Sequence, residues 1–364
     1  MKIKVLKFGG TSVGSIGAIK RSADIIHDWS KKSKVIAVLS AMSGETDRLI
    51  NLTKSFSKNP NPIDFDNAIS SGENVSCALM SICLNNQKIK AKSLLSWQIP
   101  IITSSEHMKS RILSINKKFL YDELKNFEVL VIPGFQGINN KGELTTLGRG
   151  GSDTSAVAVA AAMETECIIY TDVEGVFTTD PNIVPKAKKI NKISYEEMLE
   201  LASQGAKVLQ TRSVELAMRK NTKLSVRSSF KPKKIGTMIT DEKSVLENNT
   251  VSGITYSKDE AKITLSRVQD KPGVSSKIFG PLAKGNINVD MILQNISQDG
   301  KFANLSFTLP RLDLEKALKI SKNQIVLMYN LAENYKSIGE FNKAIEMHEK
   351  IIFDNNLHLS LIHI

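Results

Sequence analysis

The sequence predicts an α/β layered domain with a mostly parallel central sheet, followed by a much smaller α+β unit, and three observations carry this. Short continuous apolar runs at residues 35–39, 129–132 and 167–170 alternate with helical stretches, and an unbroken apolar strand is one covered on both faces. Glycine-rich or polar loops follow several of these runs directly, as ligand loops do at the carboxyl ends of parallel strands. The pattern then breaks at Lys231-Pro232-Lys233-Lys234 and a polar stretch through Asn248-Asn249, and restarts on a smaller scale.

In order, the first unit reads as strand 5–8, a glycine turn, helix 17–30, strand 35–39, helices 46–55 and 67–84, and strand 129–132 ended by Pro133-Gly134. An alanine-rich helix 152–163, strand 167–170, helices 195–203 and 207–219 and strand 224–227 complete it. Strands alternating with helices define the layered class. The second unit reads as strand 261–265, a turn at Asp270-Lys271-Pro272-Gly273, helix 275–284 and strands 288–293 and 302–308. From about residue 320 the chain becomes helical, and Leu331, Ala332, Tyr335, Gly339 and Ala344 fit the spacing of a tetratricopeptide repeat. One such repeat cannot bury its apolar face alone. The expected division is 1–240, 250–320 and a tail 321–364.

The 364 residues are 41% hydrophobic and 24% charged, ordinary for a globular protein. The alternation in Met1-Lys2-Ile3-Lys4-Val5-Leu6-Lys7 is unlike a secretory signal, and no apolar run reaches the roughly 20 residues that span a bilayer. Cys77, Cys83 and Cys167 form no CxxC pair and sit among apolar residues, which suits reduced thiols in a cytoplasmic protein. The net charge of +12 comes from scattered lysines without interleaved aromatics, a solvated surface suited to anionic substrates rather than to nucleic acid or membrane. The five histidines show no ligand spacing, so no protein-built metal site is expected.

Four motifs carry candidate chemistry. In Lys7-Phe8-Gly9-Gly10-Thr11-Ser12, after a strand, two glycines free the backbone to approach phosphate and Lys7 supplies a mobile charge; a plain strand-ending turn is the alternative, and this is not a GxxxxGK[ST] loop. Gly148-Arg149-Gly150-Gly151-Ser152-Asp153-Thr154 opens the alanine-rich helix. Ser152 or Asp153 could simply cap it, but three glycines and an arginine exceed what a cap needs and suit a carboxylate or phosphate. The loop from Tyr170 through Thr171, Asp172 and Glu174 to Phe177, Thr178, Thr179, Asp180 and Pro181 could hold a nucleoside, or be an ordinary hairpin. Thr46 and Glu73, in SGETD and SGE, could meet a small substrate's amine and carboxylate, or cap helices. Lys207 opens a predicted helix after Gly205.

Together the stretches KFGGTSVGS, VLSAMSGETDRLI, SGENVS, PGFQGIN, TTLGRGGSDTSAVA, YTDVEGVFTTDPNIVP and SYEEMLELASQGAKVLQTRSVELA resemble aspartate kinases in order and spacing, over about residues 3–320. The resemblance implies an amino-acid kinase fold: an eight-stranded, mostly parallel sheet between helices, and ATP-dependent phosphorylation of the β-carboxylate of L-aspartate with Mg²⁺. It implies that Lys7, Phe8, Gly9 and Gly10 hold the ATP phosphates, and that Thr171, Asp172, Phe177, Thr178, Thr179, Asp180, Pro181, Asn182, Lys207 and Val208 hold the nucleotide. Thr46, Glu73, Arg149, Gly150, Gly151 and Ser152 would bind aspartate, with Lys7, Asp172 and Arg149 carrying the reaction. The segment ITLSRVQDKPGVSSKIFGPLAKGNINVDMILQNIS looks like a first ACT regulatory domain, in which Asp270, Gly273 and Gln294 would line a lysine or threonine effector pocket. A homodimer is implied. The family's second ACT domain is replaced by the repeat-like tail, either a fusion or a joining artefact with the artefact favoured, and feedback control is expected to be weak. Rival readings are another amino-acid kinase, acting on glutamate or acetylglutamate, and a non-catalytic amino-acid sensor.

Overall fold

The computed structural model describes residues 2–99, 101–148, 150–206, 208–241, 253–255, 259–269, 272–296 and 302–320. The chain divides into two units, Met1–Tyr256 and Ser257–Ile364. In chain order the first contains β1 (Ile3–Phe8), α1 (Gly10–Val13), α2 (Ile16–Ser30), β2 (Lys34–Leu39), α3 (Glu45–Phe56), α4 (Pro62–Ile69), α5 (Ser71–Asn86), β3 (Ala91–Ser93), β4 (Ile101–Thr103), β5 (Ile112–Ile115), α6 (Lys117–Asn126) and β6 (Val129–Pro133). It continues with β7 (Gln136–Ile138), β8 (Leu144–Thr146), α7 (Gly151–Ala162), β9 (Cys167–Thr171), β10 (Lys192–Ser194), α8 (Tyr195–Ser203), α9 (Thr211–Arg219), β11 (Leu224–Ser228) and β12 (Thr237–Thr240).

The apolar runs do form a sheet covered on both faces. Its eight strands lie in the order β10-β12-β11-β9-β1-β2-β6-β3, and every pairing is parallel except that of β11 with β12. Alternate residues of each strand enter different cores, as the two-residue pleat requires. Val5, Ile36, Val38, Leu130 and Ile132 pack into one cluster with residues of α7, α8 and α9. Leu6, Phe8, Val35, Ala37, Leu39 and Val131 pack into the other with α2 and α5. The result is three layers.

Parallel pairing brings the carboxyl ends of the strands together. Phe8 lies opposite Leu39 and Tyr170, Leu39 opposite Pro133, and Thr171 opposite Ser228. The loops after β1, β2, β6, β9 and β11 therefore leave one edge of the sheet.

Several expectations are corrected. The single helix expected over 67–84 is two, α4 and α5, parted at Ser70. Here Asn61 caps α4 ahead of Pro62, and Gly72 brings the first turn of α5 against the loop after β2: a Cβ at Gly72 would lie 2.9 Å from that of Ala41. Helix α9 begins at Thr211 rather than 207. Neither Ser152 nor Asp153 caps α7; the N-cap is Gly150, at φ +71°, with no side-chain cap. A four-stranded sheet in the order β5-β4-β7-β8 was not foreseen; strands of three or four residues are too short to display a period.

The second unit contains β13 (Glu260–Gln269), α10 (Val274–Lys284), β14 (Ile292–Ile296), β15 (Phe302–Pro310) and α11 (Leu314–Ile320). Its antiparallel sheet runs β13-β15-β14 over a core including Ile263, Leu265, Leu282 and Phe307. The strand expected at 288–293 lies later, at β14. The repeat-like pattern of the tail falls outside the described residues. Among those described, no helix is long and apolar enough to cross a membrane.

Candidate active site

Lys7 is the penultimate residue of β1, and the pleat turns it away from the core of its neighbours Leu6 and Phe8. It is 9% exposed, and its Nζ lies 2.6 Å from Asp153 Oδ1 in the first turn of α7. A charge so placed must be paired, and Asp153 does this. The Phe8 ring is fully buried and stacked on Tyr170 at 5.0 Å, so Phe8 can offer a ligand only its main chain. Gly9 donates to the Tyr170 carbonyl at 3.3 Å. A Cβ at Gly10 would lie 3.1 Å from the Ala41 carbonyl, so the turn after β1 sits tightly on the loop after β2. Ser12 Oγ donates to Ser229 Oγ at 2.9 Å, and Ser229 in turn donates to the Thr171 carbonyl. The turn after β1 is thereby tied to those after β9 and β11.

The loop after β9 presents Asp172 to solvent, steadied by Thr171 Oγ1 donating to Asp172 Oδ1 at 3.0 Å. Phe177 bridges Lys189 and Thr178 N donates to the Lys188 carbonyl at 2.9 Å, so the hairpin reading of this loop holds in part. Asp180 Oδ1 accepts from Asn182 N. Phe177, Thr178, Thr179 and Asp180 are half-buried, while Pro181 and Asn182 are exposed. Glu174 is held by Lys231 at 2.5 Å and Lys234 at 3.1 Å. Val208 packs against the core; Lys207 lies outside the described residues.

On the neighbouring side, Glu73 in the first turn of α5 is 3% exposed. Its Oε1 accepts from Ala41 N at 3.1 Å; its buried Oε2 has no hydrogen-bond partner among the described residues. Burial pushes this carboxyl up to about 7, against a weaker downward pull from the Ala41 N–H. Thr46, half-buried in the first turn of α3, lies beside Glu45, whose Cγ would be 3.3 Å from a Cβ at Gly72.

The glycine-rich loop completes the set. A Cβ at Gly134, just beyond β6, would stand 2.8 Å from the Ser152 Cα, and Gly134 N donates to the Leu39 carbonyl at 2.9 Å. Gly151 is packed against Leu147 and Phe135. Ser152 thus lies over the β2 and β6 ends with Gly151 beside it, while Gly150 faces the Gln210 side chain at the start of α9; Arg149 lies outside the described residues. In the second unit Gly273, at φ +89°, is the N-cap of α10, Gln294 is exposed on β14, and Asp270 lies outside the described residues.

The sequence alone did not identify Asp153 as the partner of Lys7, nor the Ser12–Ser229 tie; both depend on pairings of distant segments. No group of three or more His, Cys, Asp or Glu side chains fit to hold a metal occurs among the described residues.

The edge so built joins a paired lysine, two glycine-bearing turns and a buried carboxylate with one oxygen unmet. The amino acid kinase family model matches residues 2–228, and an ACT domain model matches 263–323. The chain therefore belongs to the amino acid kinase family. It is 48% identical to an aspartate kinase of Pseudomonas putida over 326 residues, 89% of this chain and 79% of that one. It is 43% identical to an aspartokinase of Helicobacter pylori, covering 98% and 92%. Among solved structures it is similar to E. coli aspartokinase III in complex with aspartate and ADP, at 26% identity and a TM-score of 0.67 over 85% of this chain and 79% of that one. The aspartate kinase of Synechocystis is 39% identical, with a TM-score of 0.60, over 88% of this chain and 54% of that one. Within the family, the chain falls among the aspartate kinases.

Proposed function

We propose that this chain transfers the γ-phosphoryl group of ATP to the β-carboxylate of L-aspartate, giving 4-phospho-L-aspartate and ADP. A carboxylate oxygen bonds to the γ-phosphorus as the bond to the β,γ-bridging oxygen breaks. The acceptor is already ionised near pH 7, so no general base is required, and positioning and electrostatics carry the rate. Lys7 offsets charge on the moving phosphoryl, with the main chain of Phe8, Gly9 and Gly10 against the phosphates. Asp172 and Thr171, with residues 177–182, Lys207 and Val208, hold the nucleotide. Glu73 takes the substrate ammonium, Arg149 a carboxylate, and Thr46, Gly150, Gly151 and Ser152 the rest of the substrate. The observation that carries this reading is the buried, unmet Oε2 of Glu73 one strand end away from a lysine that is itself paired.

Mg²⁺ fits this residue set. Bound chiefly through nucleotide oxygens and water, it needs at most one or two protein carboxylates, and the exposed Asp172 carboxylate is such a group. When bound it would neutralise phosphate charge. The ACT unit is the place for a lysine or threonine effector, with Asp270, Gly273 and Gln294 as its candidate lining. We read the enzyme as a cytoplasmic homodimer acting early in lysine, threonine and methionine synthesis.

Trapping the acyl phosphate with hydroxylamine tests the reaction. ATP- and Mg²⁺-dependent aspartate hydroxamate, absent with glutamate, is the expected result. A folded, ATP-binding protein that forms hydroxamate only with another acceptor would overturn it, and one that forms none with any acceptor would favour the sensor reading.

A further inference from the structure

We propose that Asp66 is a positioning residue that sets the path of the substrate-side glycine loop; this rests on reading Gly150, Gly151 and Ser152 as part of the aspartate site. Asp66 is on α4 and 0% exposed. A buried carboxylate is costly unless its lone pairs are met, and here four donors converge. Oδ2 accepts from His107 Nδ1 at 2.8 Å, Met108 N at 3.1 Å and Thr146 N at 3.0 Å, and Oδ1 accepts from Thr146 Oγ1 at 2.6 Å.

All four donors come from two short segments, and both lead to one place. Thr146 ends β8, two residues before Gly148. Met108 holds φ +66°, a conformation that L side chains rarely adopt and that needs outside support. Its N–H goes to Asp66, and its carbonyl lies 2.9 Å from where a Cβ of Gly148 would stand. Gly148 is at φ +77° and Gly150 at φ +71°, and Gly151 N donates to the Gly148 carbonyl at 3.0 Å. The strand leading into the loop is thus held by the Asp66 carboxylate on one side. Arg212 of α9 holds it on another, donating to the Leu147 and Ser110 carbonyls at 2.8 and 2.7 Å. The second nitrogen of His107 faces Glu143, 3.7 Å away, so the ring is braced between two carboxylates.

A carboxylate that only filled the core would have no reason to gather its donors at the entrance to one loop. An isolated structural role and a positioning role also differ in what they change. The first lowers thermal stability and leaves the kinetics of each folded molecule alone. The second raises the KM for aspartate well above any change in that for ATP, because Gly150, Gly151 and Ser152 are read as touching aspartate itself, whereas the loop reaches the nucleotide residues indirectly, through the pair of Asp153 with Lys7.

The test is steady-state kinetics of Asp66→Asn and of the pair Thr146→Val and Thr146→Ser in the full chain, corrected for the folded fraction. Asp66→Asn is expected to raise the aspartate KM about tenfold or more, with the ATP KM changed less than about twofold. Thr146→Val, which removes the 2.6 Å bond while keeping shape, is expected to raise the aspartate KM several-fold, and Thr146→Ser to restore it. Should Asp66→Asn fail to fold, the Thr146 pair decides alone. Unchanged aspartate KM values, or equal rises for aspartate and ATP, overturn the proposal. Wild-type protein that turns over no aspartate removes the reading of the loop, and the proposal falls with it.

Discussion

The two sides of the site are built on opposite plans. On the proposed nucleotide side each charge has a counterpart within the protein: Lys7 forms an ion pair with Asp153 Oδ1, a buried oxygen with no hydrogen-bond partner among the described residues, Asp172 receives Thr171, and Ser12, Ser229 and Thr171 close a bonded chain. On the acceptor side Glu73 keeps a buried oxygen without a partner, and burial holds its carboxyl near 7. The difference teaches where binding energy is to be gained. A preassembled half presents fixed charge and pays little to reorganise, whereas an unmet half gains most when its ligand arrives.

The largest expected effect is at Lys7. Lys7→Ala alone would strand Asp153, and breaking a buried pair costs about 3–5 kcal/mol. The cleaner comparison is the double variant Lys7→Met with Asp153→Asn, which removes both charges. It is expected to fold, by circular dichroism and thermal melting, yet to lose roughly 10²–10³-fold in kcat. Full turnover in that variant would show that the paired half is only structural.

Glu73→Gln comes next. Losing a charge-assisted bond to the substrate ammonium should raise the aspartate KM about 10–100-fold with ATP binding retained. On the proposed role Glu73 binds the ammonium as its carboxylate, so in the wild type the aspartate KM is expected to fall as pH rises through about 7, and the variant should show no such dependence. Stability moves the other way. The folded value lies above the unfolded 4.5, so the native state holds the proton longer and stability falls as pH rises from 4.5 to about 7. Denaturant unfolding at several pH values should show this slope in the wild type and a smaller one in Glu73→Gln.

Asp172→Asn is expected to raise the ATP KM by about tenfold, since an exposed charge is partly screened. Ser12→Ala should be the mildest. One lost bond is worth about 1 kcal/mol, read as a small drop in melting temperature with kcat within about threefold. A large loss of kcat there would mean that the tie between turns is itself catalytic.

Much of the fold is legible because buried parallel strands advertise themselves. The runs at 35–39 and 129–132 needed no partner to be recognised, and the glycine turns beside them lie at the strand ends where the site is proposed. What the sequence hid depends on distance along the chain. Lys7 and Asp153 meet only because α7 crosses behind β1, and Asp66 meets Thr146 across 80 residues. Three-residue strands such as β7 and β8 carry no periodicity to read, and Gly150 caps α7 through its backbone alone, so the neighbouring Ser and Asp mislead. The ACT unit was visible from its turn and amphipathic helix, with the edge strand β14 misplaced because Asn288, Val289, Asp290 and Met291 before it alternate polar and apolar residues as a strand would.

The sheet order has a consequence for biosynthesis. Strand β1 is central, yet its neighbour β9 begins at Cys167, more than 160 residues later. At roughly 5–20 residues per second, a ribosome needs on the order of ten seconds or more to deliver it. Throughout that interval one edge of the Lys7 strand lacks its native neighbour, and an unpaired apolar strand edge is what makes a nascent chain prone to aggregation until Thr171 emerges.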